Sequence, residues 1–209
     1  MACRGCTVSQ MESNGHYFEQ EPSSVQREGS VQLSLPDFSA TFTTASNVFS
    51  WRKLDSGTKF LLLNVPSPET MPRNALDLGC GYGPIVAVLE HRFPNTKIWG
   101  IDVNERAIEL ARNNTRRSET VICRPDEVPA DVTFDLILSN PPIRIGKGEL
   151  KKLLAMWLGR LHNSGSAYFV INKNLGADSI QKWLESESWM TNRLKSLKGY
   201  RLLEVKHHV

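Results

Sequence analysis

From residue 75 onward short apolar runs alternate with longer amphipathic ones, and this alternation restricts the fold more than any other feature of the chain. "ALDL" (75–78) is a short apolar strand, and "PIVAVLEHRF" (84–93) reads as a helix with Pro84 in its first turn, where no amide is needed. "KIWGID" is the next strand, "NERAIELARNN" a helix, "TVIC" a strand and "TFDLILS" another. "GELKKLLAMWLGRL" continues as an amphipathic helix, "SAYFVIN" as a buried strand and "SIQKWLES" as a helix. "NRLKSLKGYRLLEVKH" reads as two strands joined through Lys198 and Gly199. Alternating strand and helix predicts an α/β fold around a largely parallel sheet, with the last hairpin contributing antiparallel strands.

Upstream of that pattern, residues 1–30 are rich in Ser, Gln, Glu and Gly and read as a flexible tail. Residues 31–209 form the expected single domain, which opens with a strand and lid segment over 31–70. Within it "VQLSL" and "SATFTT" suggest a hairpin, and "NVFSWRKLDSGTKFLLLNV" a loop running into a helix. No apolar run approaches the ~18 residues of a membrane span. The N-terminus has no apolar core of a signal peptide, so a cytoplasmic location is expected. Cys3 and Cys6 form a lone CxxC in the tail without a second ligand pair, so no metal site is expected. Cys80 and Cys123 stand in apolar company and read as buried thiols. The net charge of +3 says little. Its clusters say more: Arg144, Lys147, Lys151 and Lys152 form one, and Arg193, Lys195, Lys198, Arg201 and Lys206 another. Such clusters suit a polyanion and equally a solvated face.

"DLGCGYG", Asp77 to Gly83, lies where a strand passes into a helix. Gly79, Gly81 and Gly83 follow a GxGxG spacing, whereas a dinucleotide site requires GxGxxG, and Pro84 removes a donor from the helix start. Asp77 before the loop would repel phosphates but accept an ammonium group. Asp102, at the end of the next strand, is placed to take both hydroxyls of a ribose. Asp126, beyond the third strand, is placed to accept from an adenine amine. Ammonium, ribose and adenine together describe S-adenosylmethionine. Cys80 in the loop, Val103 after Asp102, and Thr58 in "LDSGT" join the candidate cofactor-binding residues.

"SNPPIRIGKG" (139–148) closes the fourth strand of this series with a rigid loop, since Pro141 and Pro142 fix two φ angles and remove two donors. An exocyclic amine shares its lone pair with its ring and is a poor nucleophile. The Asn140 side-chain oxygen and the Pro141 carbonyl can each accept one of its N–H groups and so aim the lone pair. Asn140, Pro141 and Pro142 are therefore the candidate catalytic residues, and Asn140 also borders the cofactor.

Residues 75–172 resemble a class I S-adenosylmethionine-dependent methyltransferase, with "DLGCGYG", "GIDVN" and "LILSNPP" as its motifs in order. Together with "VFSWRKLDSGTKFLL", they resemble the small methyltransferase-domain family. That family includes the bacterial enzymes that methylate the guanine amine of 16S ribosomal RNA. The resemblance implies a Rossmann-like, seven-stranded, mostly parallel sheet with helices on both faces. It implies S-adenosylmethionine as cofactor and RNA, as small-subunit ribosomal RNA or an assembling particle, as partner. The likeness is to the catalytic half of the two-domain guanine enzymes. In "VFSWRKLDSGT", Asp55, Gly57 and Thr58 match positions that border the cofactor. The family pattern places an aromatic after the two prolines, where Ile143 stands here. Arg144, through its guanidinium plane, and Phe49 are the candidate replacements, and Ile143, Arg144, Lys147 and Phe49 are the candidate substrate-binding residues. Lys152 and the basic C-terminal hairpin are expected to hold phosphates with Arg144 and Lys147. An adenine amine in nucleic acid or a glutamine amide in protein remains an alternative target. A catalytically idle binding module would predict damaged motifs, and Asp77, Gly79, Gly81, Asp102 and Asn140 all stand.

Overall fold

The computed structural model describes residues 27–142 and 145–208. Two antiparallel strands, β1 (Glu28–Ser34) and β2 (Ser39–Ala45), make the expected hairpin. Val31, Leu33 and Phe42 are buried while their strand neighbours face outward, the period-two pattern of a sheet with one covered face. Helix α1 (Ser56–Asn64) follows, its N-terminus capped by the Asp55 carboxylate, which accepts from the Thr58 amide at 3.0 Å.

The alternating unit then runs β3 (Asn74–Leu78), α2 (Pro84–Arg92), β4 (Lys97–Ile101), α3 (Glu105–Asn114), β5 (Val121–Cys123) and β6 (Phe134–Ser139). It continues through α4 (Lys147–Leu158), β7 (Leu161–Asn172), α5 (Ala177–Ser186), β8 (Met190–Leu197) and β9 (Tyr200–Lys206). These strands form one seven-stranded sheet in the order β5-β4-β3-β6-β7-β9-β8. Five are parallel; β9 runs antiparallel to β7, and β8 antiparallel to β9. The fold expected from the alternation is the fold found. β7 starts earlier than "SAYFVIN" suggests, at Leu161. A register shift opposite Phe134 and Leu136 lets the polar stretch around His162 and Asn163 remain in the strand.

Strand alternation divides the core between the two faces. Ala75, Leu136, Leu138, Val170 and Leu202 pack against α1, α2, α3 and the hairpin. Leu76, Ile137, Phe169 and Leu203 pack against α4 and α5, through Leu150, Leu154, Trp157, Ile180 and Leu184. The hairpin is fastened by polar contacts its own sequence does not announce. Asn114, at the end of α3, accepts from the Thr43 amide (2.9 Å) and donates to the Thr43 carbonyl (2.8 Å) and the Tyr82 carbonyl (2.9 Å). Arg92 reaches both Asp37 (2.7 Å) and the Leu62 carbonyl (3.0 Å). The consequence for function is at the other end: the loops after β3, β4, β6 and β7 gather along one sheet edge, where open α/β sheets hold their ligands.

Candidate active site

The loop after β3 is set by its glycines. Gly79, Gly81 and Gly83 have φ of 79°, 56° and 88°, a left-handed region that other residues enter only under strain. The amides of Gly79 and Cys80 both donate to the Ile101 carbonyl at 2.9 Å, which binds the loop to the end of β4. At Gly81 a Cβ would meet nothing within 4 Å, so the backbone there borders open space.

Two acids lie beneath this loop. Asp77 shares a strand face with Ala75, where an apolar side chain would be ordinary, and is fully buried. Neither of its oxygens has a well-formed hydrogen bond, and the Val86 amide leans toward it only weakly. Burial, and after it the charge of Asp102, hold the Asp77 carboxyl well above the usual carboxylate range. Asp102 follows β4; its Oδ2 accepts from the Gly81 amide (2.9 Å) and its Oδ1 from the Asn104 amide (3.0 Å). Burial raises its pKa as well, against the lowering effect of those amides. Asp102 thus braces the glycine loop, and each oxygen keeps a further lone pair. The Cys80 thiol is buried and pushed up by desolvation, which leaves it unreactive. Val103, beside Asp102, is 39% exposed.

Asn140 leaves the end of β6, whose last residue, Ser139, donates to the Leu78 carbonyl at 2.5 Å and ties that end to β3. The Asn140 amide nitrogen donates to Asp55 Oδ1 (2.7 Å) and Thr58 Oγ1 (3.0 Å). A carboxylate can only accept, so the group facing Asp55 must be the NH2 and the amide cannot be turned around. Both amide protons are therefore engaged, and no donor among the described residues reaches Asn140 Oδ1. Pro141 is buried and Pro142 exposed; the Pro142 carbonyl accepts from the Ile145 amide at 3.2 Å.

The segment 46–55 carries Asp55 to this point as a strap along the edge. Its start is held to α3, with Asn104 donating to the Asn47 carbonyl (3.0 Å) and Arg106 to the Ser46 carbonyl (2.9 Å). Its middle is held to β2, with Thr44 donating to the Trp51 carbonyl (2.6 Å). Gly57 then passes through a tight point. A Cβ there would lie 2.8 Å from Asp55 Oδ1, 2.8 Å from Tyr200 Cε1 and 3.3 Å from Asn140 Oδ1. Tyr200, the first residue of β9, also pairs its hydroxyl with Ser56 Oγ (3.1 Å) and its ring with Phe60. Tyr82 lies buried in the glycine loop; burial, and then the Asp55 charge, push its phenol upward.

The structure thus brings Asp77, Gly79, Cys80, Gly81, Gly83, Asp102, Val103, Thr58, Asn140, Pro141 and Pro142 to one edge. Asp126 stands on the turn after β5, at the same end of the parallel sheet, with its side chain 76% exposed and 3.3 Å from Arg124 Nε; Arg124 in turn donates to the Val103 carbonyl at 3.3 Å. Phe49 is 61% exposed, so it is no part of the core. Lys147 begins α4, in solvent. Ile143 and Arg144 lie outside the described residues. Asp55 as a partner of Asn140, and Tyr82 and Tyr200 as site residues, were not visible in the sequence. The available signal for Asp55 was the likeness of Asp55, Gly57 and Thr58 to family positions that border the cofactor, which does not pair Asp55 with Asn140.

A family model described as methyltransferase small domain matches residues 39–204. The YbxB protein of Bacillus subtilis, described as uncharacterized, is 36% identical over 91% of this chain and 98% of its own length. Ribosomal RNA large subunit methyltransferase G of Shewanella oneidensis is 30% identical over 69% of this chain. Ribosomal RNA small subunit methyltransferase C of Shewanella pealeana is 31% identical over 69%. This chain spans only 41% and 43% of those two relatives. Among solved structures, the Thermus thermophilus 16S rRNA N2 G1207 methyltransferase, in complex with AdoMet and guanosine, superposes with a TM-score of 0.67. It is 22% identical and matches over 88% of this chain and 51% of its own, a likeness of fold.

Proposed function

Since this chain belongs to the methyltransferase small domain family and is an S-adenosylmethionine-dependent methyltransferase, we propose that it methylates the exocyclic amine of guanine, N2, in small-subunit ribosomal RNA. The observation that carries the reading is the polarity of Asn140. With both amide protons held by Asp55 and Thr58, Asn140 offers a substrate an acceptor and nothing else. A nucleophile that carries its own N–H protons matches that polarity; a carbonyl or an unprotonated ring nitrogen does not.

The residues present fit the cofactor. Asp77 is a buried carboxylate without a good partner, which an ammonium group would satisfy, and open space at Gly81 lets a ligand approach the backbone. Asp77 would hold the amino group and Asp102 the ribose hydroxyls, with Gly79, Cys80, Gly81, Gly83, Val103 and Thr58 bordering them. When bound, S-adenosylmethionine supplies an electrophilic methyl group on a sulfonium.

The remaining work falls to the loop after β6. Asn140 Oδ1 accepts one N–H of the target amine and the Pro141 carbonyl the other, so that the nitrogen lone pair is drawn out of conjugation with the ring and aimed. The two prolines keep the carbonyl from rotating away. No strong base is required, because the proton departs after the new N–C bond has made the nitrogen cationic. A base can enter such a site only when unstacked, which suits a loop or an incompletely assembled particle. The names of the relatives support ribosomal RNA as substrate, and they include enzymes of both subunits. Likeness to the guanosine-bound 16S enzyme supports the small subunit and guanine N2.

Replacing Asn140 by Ala is expected to lower methyl transfer by about 100-fold or more while cofactor affinity, read by calorimetry, holds. An unchanged rate would remove the assignment. Mass spectrometry of ribosomal RNA from cells lacking the gene should show one N2-methylguanosine missing, and a full complement of modifications would exclude guanine N2 as the target.

A further inference from the structure

Three lysines from three separate elements meet at the same sheet edge as Asn140, on the side of β7 and β9. Lys147 is the first residue of α4, and its stem lies against the turn before α5, with Cε 2.9 Å from where a Cβ on Gly176 would sit. Lys173 begins the turn after β7, where its amide donates to the Gly199 carbonyl (2.6 Å) and its carbonyl accepts from Gly176 (3.1 Å). Lys198 occupies the β8–β9 turn beside Gly199, at a positive φ of 46°. These contacts, through the side-chain stem of Lys147 and the backbone of Lys173 and Gly199, place the three residues around the turns before α5 and β9, next to Tyr200. All three are exposed, and none has an acidic partner within ion-pair distance among the described residues.

Most other cations of the two basic clusters are already engaged. Lys152 pairs with Glu149 (2.8 Å), Arg193 with Asp178 (2.6 Å) and Lys206 with Glu204 (2.8 Å); Lys151 lies over the Trp183 ring, and Arg201 donates to the Tyr200 carbonyl. Among the described members of the two runs, Lys147, Lys195 and Lys198 make none of these contacts; Lys195 lies within β8, while Lys173, from outside the runs, joins Lys147 and Lys198 at the mouth of the site.

We propose that Lys147, Lys173 and Lys198 form a phosphate-binding rim that holds an unpaired RNA strand beside the nucleotide presented to Asn140. The inference rests on the RNA-methylation reading above and names the surface it requires. Flexible ammonium groups hold phosphates without selecting a base, so the rim supplies affinity and register, while selection stays with the loop after β6. Lys152 and Lys206, held by carboxylates, contribute little.

The test uses the full chain and a short fluorescently labelled single-stranded RNA of mixed sequence, titrated at several KCl concentrations. Replacing Lys147, Lys173 and Lys198 together by Ala should weaken binding about tenfold or more at moderate salt. It should also reduce the slope of log affinity against log salt by about 2, since each phosphate contact on a single strand contributes roughly 0.7. S-adenosylmethionine affinity and Tm should match the unaltered protein, which shows that the variant is folded. Lys152→Ala serves as the comparison and should leave affinity and slope in place. Equal affinity and slope in the triple variant, while the unaltered protein binds RNA with a salt dependence, would overturn the rim alone. Absence of RNA binding by the unaltered protein would overturn the RNA reading and the rim with it.

Discussion

At the scale of single residues, the proposed site centres on an asparagine whose two ends are made unequal by its neighbours. Asp55 has two tasks: it caps α1 through the Thr58 amide and fixes the orientation of the Asn140 amide. The two tasks can be separated by a shorter side chain. Ser at position 55 keeps an N-cap oxygen but does not reach Asn140, so Asp55→Ser should leave Tm within a few degrees and lower kcat by about tenfold or more, with cofactor affinity little changed. A parallel fall in Tm and kcat would mean that Asp55 matters only as a cap. Gly57 is constrained by the same contacts. A side chain there would press on Asp55, Tyr200 and Asn140 together, and Gly57→Val should lose most methyl transfer. The sequence made Asp77, Asp102 and Asn140 legible because each belongs to a local motif at a strand end. It could not make Asp55 or Tyr200 legible in the same way. Asp55 meets Asn140 across 85 positions and Tyr200 meets Ser56 across 144, and such pairings exist only once the sheet edge has assembled.

Among the elements, the β1–β2 hairpin and the strap after it show where pattern ends and packing begins. Their strands could be read from alternation, since a period of two survives in a short segment. Their docking could not, because it depends on Asn114 at the far end of a helix, 71 positions from Thr43. Asn114 makes three hydrogen bonds that join β2, α3 and the glycine loop. Asn114→Ala leaves the part-buried Tyr82 carbonyl unpaired and the exposed Thr43 amide and carbonyl to water, and should cost about 1 kcal/mol. The loss should appear as faster amide exchange along β2 and as weaker cofactor binding, since the Tyr82 carbonyl is one of the three partners. Slowly exchanging β2 amides in the variant would show that apolar packing of Val31, Leu33 and Phe42 suffices to dock the hairpin. The strap illustrates the same limit. "VFSWRKLDSGT" reads as a loop running into a helix, whereas its path past α3, β2 and the end of β6 is set by contacts with all three.

For the molecule as a whole, Asp77 is a cost that the folded chain carries without its cofactor. Buried under the glycine loop without a good partner, it has its folded pKa raised, by burial first and by Asp102 second, while in the unfolded chain it titrates near 3.9. Between those two values the unfolded chain has released the Asp77 proton and the folded chain retains it. The unfolded state then binds fewer protons, so the contribution of Asp77 to stability is greatest below the unfolded value and falls as pH rises toward the folded one. Asp102 acts with the same sign, and Asp37, whose carboxyl is lowered by Arg92, with the opposite sign, so the informative quantity is the difference between two proteins. Asp77→Asn removes the titration and should raise the cofactor-free stability at pH 8 by about 1 kcal/mol, roughly 2–4 °C in a domain of this size. The advantage should shrink as pH is lowered toward 4. With Asp77 holding the ammonium group as proposed, saturating S-adenosylmethionine should reverse the order, because that contact would stabilise the Asp77 carboxylate and lower its pKa, and the neutral variant cannot repay it. Thermal unfolding of both proteins across pH, with and without cofactor, measures all four arms. A constant difference in Tm across pH, or a variant that gains as much from the cofactor as the unaltered protein, would mean that Asp77 faces no ammonium group and that its burial serves the loop alone.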